Sequence, residues 1–360
     1  MIKGDVLLDE PQVSAKQLYD LLGACSRHYK IFCILYAAVK IKLFDHLETL
    51  KNIDVLSEEL GIASELTLIL CEVLVSIGLL ERQNRSFKNT KISDIYLKSN
   101  SLYYQHEVLN NIQGGFRLWD NLSKILRNGP IMINEYNIFQ DNLIHALAAE
   151  ILGGEIQKTM GIIAEFPGFQ KAKTLLDLGG GHGLYAIAFT RINPYLKAYV
   201  FDFPNVIKDT QAYINKFAAE RVDVITGNLF TDDLGNGYDI IFFSYNPGGK
   251  NPDLVPKIHA ALSDGGLFIT KHAFYKRNEG SKGLLLDMEW NLTAFKGVKK
   301  GSKMYSFAGD LTYEDYLELL EKYFTLEKIA EANEFGGSRL SKFGDTLDSK
   351  IIIARKKSLY

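Results

Sequence analysis

The sequence predicts an α/β protein: a doubly wound, Rossmann-like, mostly parallel sheet preceded by a mostly helical winged-helix domain. Three observations carry this. From residue 174 onward, short apolar strands alternate with helical segments, as parallel sheets require. The first of those strands, TLLDLGGG, runs directly into a glycine cluster, Gly179, Gly180, Gly181 and Gly183. The segment before it is rich in helical periodicity and holds one short hairpin signal.

In chain order, YKIFCILYAAVKIKLFDHL (29–47) is apolar at nearly every helical spacing, more than one core-facing stripe needs. Such a helix is buried on several sides or packs on another chain. Val55 to Leu60 reads as a short helix that turns at Gly61. A second helix runs from an N-cap at Ser64 to Ile77 and stops at Gly78. LLERQNRSFKNTKIS follows as a hairpin, completing a helix–turn–helix with a wing. GGFRLWDNLSKILRNG and IFQDNLIHALAAEILGGEIQKTMGIIAEF are helical and carry aromatics, among them Tyr136 and Phe139. The sheet strands are then TLLDLGGG (running into its glycines), KAYVFDFP, VDVITGNLF, YDIIFFSY and GGLFITKHAF, with FTLEKIAEA and SKIIIARKK as the last two. The domains expected are 1–105 (helical, winged helix), 106–170 (connecting helices lining the substrate site) and 171–360 (the sheet domain).

Composition excludes several classes. With 360 residues and 47% hydrophobic content, the chain can build more than one core and is not generally disordered. Lys+Arg 41 against Asp+Glu 43 leaves a net charge of −2, unsuited to a chain built for phosphate backbones. The helix ASELTLILCEVLVSIG, where a winged-helix regulator reads DNA, carries Glu65 and Glu72 and no Lys, Arg, Asn or Gln, so no nucleic acid is expected. No apolar run is long enough for a membrane helix, and the acidic N-terminus is no signal peptide. Cys25, Cys33 and Cys71 lie in apolar surroundings without metal-ligand spacing, and they read as buried thiols of a cytoplasmic protein.

Ligands of such sheets sit beyond the carboxyl ends of the strands. The first strand ends at Asp177, followed by Gly179, Gly180, Gly181 and Gly183, and the second ends at Asp202, whose carboxylate suits ribose hydroxyls. The third ends in Gly227-Asn228-Leu229-Phe230, an amide flanked by apolar groups that could hold an adenine. GHGLYA also fits the dinucleotide glycine pattern, a weak match by itself. Charge discriminates: Asp177 at the mouth of the loop would repel a pyrophosphate but suits the ammonium and sulfonium of S-adenosylmethionine.

LLDLGGGHG, VFDFPNVI, GNLF, YDIIFF, AALSDGGLFI and LLLDMEWNLTAFKG together resemble the class I S-adenosylmethionine-dependent O-methyltransferase family of the plant phenolic and hydroxyneurosporene type. That family has an N-terminal winged-helix dimerisation domain, and the resemblance spans roughly residues 20–355. It implies a homodimer acting on a small-molecule methyl acceptor. It also implies that Gly179 and Gly181 lie under the methionine part, that Asp202 holds the ribose, and that Asn228 and Leu229 flank the adenine. Asp177, Phe203 and Ser244 complete the implied cofactor-binding set. The family's usual Asp is Asn228 here, which keeps an acceptor and loses the charge.

One departure matters most. Where the family carries a His-Asp-Trp motif whose His deprotonates the substrate hydroxyl, this chain has Gly248-Gly249-Lys250, and the usual Lys four residues earlier is Ser244. His272, at the position of the family's supporting Glu, becomes the candidate base or substrate-orienting group, and Tyr245 a candidate substrate contact. His145 and His182 are expected to be structural. Function is therefore expected to be methyl transfer to a bulky aromatic or conjugated molecule, at C, N or S rather than a hydroxyl, or on a substrate that is already ionised. Altered chemistry of the hydroxylase or decarboxylase kind is the alternative.

Overall fold

The computed structural model describes residues 10–134, 143–246, 248–296, 299–331, 334 and 349–358, and the chain divides into two units, Met1–His106 and Glu107–Tyr360. Tyr136 and Phe139 lie outside the described residues.

In the first unit α1 (Lys16–Lys40) starts well before the apolar run that predicted it. It ends where Lys42 takes a left-handed φ of 58°, before a single turn of 3-10 helix. Only its C-terminal end is buried: Ala38 and Val39 join Leu43, Phe44 and Leu47, while Leu18, Tyr19, Leu21, Leu22 and Tyr29 are exposed on this single chain. The thiol expectation holds for Cys71 alone; Cys25 and Cys33 are exposed on α1. Burial pushes the Cys71 thiol up to about 12, which keeps it protonated and inert.

β1 (Lys51–Asn52) leads into α2 (Ile53–Leu60), capped by the Asn52 side chain, which accepts from Asp54 N at 2.9 Å. Gly61 closes that helix at φ 64°. In α3 (Ser64–Ser76) the N-cap is Ala63, not Ser64; the Ser64 hydroxyl is taken by Asp54 at 3.0 Å. β2 (Leu80–Gln83) and β3 (Ser86–Asn89) form the expected hairpin, and β1 adds a third strand to it. α4 (Lys91–Tyr96) follows.

Two helices come next in the chain, α5 (His106–Asp120) and α6 (Leu122–Asn128), then β4 (Ile131–Asn134). α7 (Leu143–Leu152) and α8 (Glu155–Ala164) are split at Gly153-Gly154, inside one expected helix. These are not a separate layer: Ile151, Ile156, Met160 and Ile163 belong to the same core as the sheet.

The second unit is built on β5 (Thr174–Leu178), α9 (Leu184–Ile192), β6 (Lys197–Asp202), α10 (Pro204–Lys216), β7 (Val222–Thr226), β8 (Tyr238–Ser244), α11 (Leu254–Ala261) and β9 (Leu262–Ala273). After these come α12 (Leu284–Asn291), β10 (Thr293–Lys296), α13 (Tyr313–Tyr323), β11 (Phe324–Glu331) and β12 (Ser349–Lys356). Seven strands line up as β11-β12-β9-β8-β5-β6-β7. The five from β9 to β7 are parallel, and β12 is antiparallel to both neighbours. β10 pairs with β4 in a separate parallel pair that the sequence reading missed. Alternation along the strands makes two cores. Leu175, Ile240, Phe242 and Ile269 face α8 and α9; Leu176, Ile241, Phe243 and Phe268 face α11 and α13.

The chain builds outward from β5 through β6 to β7, then returns to lay β8 on the other side of β5. The order reverses between β5 and β8, so the crevice beyond their carboxyl ends is the topological switch point. No helix among the described residues is long and apolar enough to cross a membrane.

Candidate active site

The glycine loop begins at that crevice. Gly179 has φ +63° and Gly181 has φ +56°, conformations that side chains rarely adopt. Gly179 N donates to Phe201 O at 2.7 Å, and Gly181 O accepts from Thr210 Oγ1 at 2.5 Å, which ties the loop to β6 and α10. His182 Nδ1 accepts from Leu184 N, the first amide of α9, at 3.2 Å. His145 is paired with Tyr213 OH at 3.0 Å and stands 3.8 Å from Asp209.

Two buried carboxyls flank the loop. Asp177 is 1% exposed and receives a backbone bond from Ala186, yet its Oδ2 has no hydrogen-bond partner. Asp202 is 6% exposed; its Oδ2 accepts from Gly181 N at 2.9 Å and its Oδ1 from Phe203 N at 2.7 Å. Burial pushes Asp177 up to about 7, with the Asp202 charge adding to it, and burial pushes Asp202 up to about 6. Neither has a basic partner among the described residues. The next strand contributes Ser244, whose Oγ is also buried without a partner, on the same face as Asp177. A glycine cradle beside an orphaned carboxyl oxygen and an orphaned hydroxyl fits the amino-acid end of the expected methyl donor, whose positive charges would stabilise the ionised carboxylates.

At the next strand end the Asn228 side chain closes a turn, its Oδ1 accepting from Phe230 N at 2.9 Å. One lone pair of that oxygen is therefore already engaged, which narrows its expected role toward an adenine. Leu229 is buried, and its carbonyl accepts from Lys257 at 2.8 Å.

The tip of β8 differs most from expectation. A Cβ on Gly249 would stand 2.0 Å from Cε1 and Nε2 of His272, and one on Gly248 would stand 2.8 Å from Phe230 Cζ. The two glycines are thus demanded by close packing; they leave no void for a larger acceptor. His272 is 3% exposed, T-shaped against Phe243 and Phe274, and its Nε2 has no partner. Burial and then the nearby Lys250 charge pull its imidazole down to about 3. Such a ring is neutral throughout the working range and a weak proton acceptor, unlike the base expected from an unperturbed histidine. Lys250 itself is held 3.1 Å from Asp310 and donates to Tyr305 O at 2.5 Å.

Tyr245 has φ 48° and its phenol donates to Ser349 Oγ at 2.8 Å, so its hydroxyl is already committed. Its N–H donates to Lys271 O at 2.9 Å, and the Lys271 ammonium stands 5.2 Å from its ring. Lys271 is wholly buried, bonded to Glu155 at 2.5 Å, Thr159 at 2.9 Å and the Tyr185 hydroxyl at 2.9 Å. Sequence reading missed this group. The signal was there: a lysine inside an otherwise apolar buried strand needs a partner.

Comparison with known proteins bears on this geometry. The family model of the O-methyltransferase domain matches residues 148–286, and that of the O-methyltransferase dimerisation domain matches residues 24–99. The chain is 37% identical to the uncharacterized protein MJ0086 of Methanocaldococcus jannaschii, over 98% of this chain and 100% of that one. It is 25% identical to acetylserotonin O-methyltransferase of Homo sapiens, over 78% of this chain and 86% of that one. The crystal structure of human N-acetylserotonin methyltransferase in complex with S-adenosylmethionine shares the fold, with a TM-score of 0.65 at 20% identity, covering 98% of this chain and 99% of that one.

Proposed function

The chain belongs to the O-methyltransferase family with an N-terminal dimerisation domain and is an S-adenosylmethionine-dependent methyltransferase, and from this premise we propose that it methylates a bulky aromatic or conjugated small molecule at nitrogen, sulfur or carbon, not at a hydroxyl. One observation carries the choice of atom: among the described residues, no base stands at the tip of β8. Gly248 and Gly249 cannot take a proton, and His272 behind them is buried and held down to about 3. An alcohol or neutral phenol must lose its proton to become a good nucleophile; an amine, a thiolate or an electron-rich ring carbon already has the electron pair.

When bound, the methyl donor would supply an electrophilic methyl group on a sulfonium: the acceptor's electron pair forms the new bond in line as the C–S pair returns to sulfur, and any proton left on the methylated nitrogen or ring carbon passes to water. The residues position and do not react. Asp177, Gly179 and Gly181 take the methionine part, with Ser244 beside them. Asp202 takes the ribose, and Phe203, Asn228 and Leu229 border the base. Lys271 and Ser349 fix Tyr245 as a wall at the end of β8. Support for an aromatic acceptor comes from curated relatives such as acetylserotonin O-methyltransferase, to which the chain is 25% identical. The exposed apolar residues of α1 are proposed as the homodimer contact. The test is a mass-shift screen of candidate metabolites with methyl-labelled donor; methylated products confined to hydroxyls would end this reading.

A further inference from the structure

We propose that Asn246 is a cofactor-binding residue: its side-chain amide N–H groups take the carboxylate of the methyl donor's amino-acid end. Asn246 follows β8 and faces Gly179, which follows β5, so the two residues flank the switch-point crevice. Its Oδ1 accepts from Gly248 N at 3.0 Å, which fixes the orientation of the carboxamide. Nδ2 is thereby pressed onto the glycine loop: a Cβ on Gly179 would stand 2.1 Å from it. No described residue accepts a hydrogen bond from Nδ2.

Its surroundings define the ligand chemistry. Asp177 Oδ2 is an acceptor without a donor, Ser244 Oγ is an unpartnered hydroxyl on the same face, and Asn246 Nδ2 is an unpartnered donor beside them. One carboxylate acceptor, one hydroxyl and one amide donor at a single crevice match a zwitterion, the ammonium to Asp177 and the carboxylate to Asn246 with Ser244. A neutral amide suits this place better than a lysine or arginine. It donates to the carboxylate without adding a positive charge beside the sulfonium. Gly179 is glycine for two reasons at once, its backbone conformation and the amide that lies on it.

The inference rests on the methyl-donor reading, and the experiment separates the two. S-adenosylhomocysteine and 5′-methylthioadenosine share the adenosine and the thioether, and only the first has the amino-acid end. Both are titrated calorimetrically into the full-length wild type, Asn246→Asp and Asn246→Ala. The Asp variant keeps the acceptor for Gly248 N and so keeps the loop, and it replaces the donor by an anionic oxygen. Each variant is expected to bind S-adenosylhomocysteine about 10–100-fold more weakly, the Asp variant more so, with 5′-methylthioadenosine unchanged within about 2-fold. Equal weakening of both ligands would assign Asn246 a purely structural role and overturn the proposal, as would unchanged binding of both. Wild-type protein that binds neither ligand would overturn the methyl-donor reading and this proposal with it.

Discussion

Gly249→Ala tests whether the glycines at the β8 tip are there because His272 fills the space. The added methyl would stand 2.0 Å from Cε1 and Nε2 of the ring, where contact distances are about 3.5–4.0 Å, so one partner must give by about 1.5–2 Å. The ring has little freedom, with Phe243 at 5.3 Å and Phe274 at 6.2 Å between centroids. Overpacking of this kind costs about 1–3 kcal/mol, and the fixed ring places it in the upper half of that range. For a unit of this size that lowers the midpoint of thermal unfolding by about 4–12 °C. Urea denaturation should show a lower midpoint with an unchanged slope. His272→Ala makes room for the methyl, so in that background Gly249→Ala should cost little, a coupling of at least about 1 kcal/mol. A Gly249→Ala protein as stable as wild type, or strictly additive costs in the double variant, would refute the packing argument.

Asp202→Ala should weaken S-adenosylhomocysteine binding by about 1.5–3 kcal/mol in calorimetry, since it removes the carboxylate proposed to hold the ribose. Asp177 and Asp202 have folded values raised from 3.8 to about 7 and about 6, so their contribution to stability is fully present below pH 3.8 and lost as pH rises through 6 to 7. A cationic ligand favours the ionised forms, so S-adenosylmethionine should bind more tightly and release protons as pH rises from 5 to about 8; affinity flat across that window would remove the charge argument. His272, held down to about 3, should show no nitrogen chemical-shift titration between pH 5 and about 8, and a midpoint near 6.5 would return it to the role of base. Leu22→Glu on the exposed face of α1 should convert a dimer to a monomer in light scattering, because the contact proposed there is large and apolar, above about 2,000 Å²; a variant still dimeric would move the interface elsewhere.

The sheet was legible because its signals are local. Each strand is a short apolar run bounded by turn residues, and glycines after TLLDL mark where the chain must reverse sharply beside a ligand. β4 and β10 were not legible: each is four residues long, and their pairing joins segments far apart in sequence. In sequence α7 and α8 look like one helix because Gly153-Gly154 is tolerated in helical patterns, whereas the chain uses it to turn. Within the site, Asp177, Gly179 and Asp202 follow from position at strand ends. Lys271, Glu155 and Asn246 do not, because their roles come from what packs against them. His272 shows the same limit: sequence gives a histidine and its ordinary acidity, and only burial under Gly249 beside Lys250 shows that it stays neutral.

Location of the transferred group in the product is the most direct test of methyl transfer without an enzymic base. Purified protein is incubated with S-adenosylmethionine carrying a deuterated methyl group and a metabolite extract, and the labelled product is fragmented by mass spectrometry. The account predicts the label on nitrogen, sulfur or carbon, at a rate independent of His272 in an Asn substitution. A label on oxygen, with the rate collapsing when His272 is replaced, would contradict it.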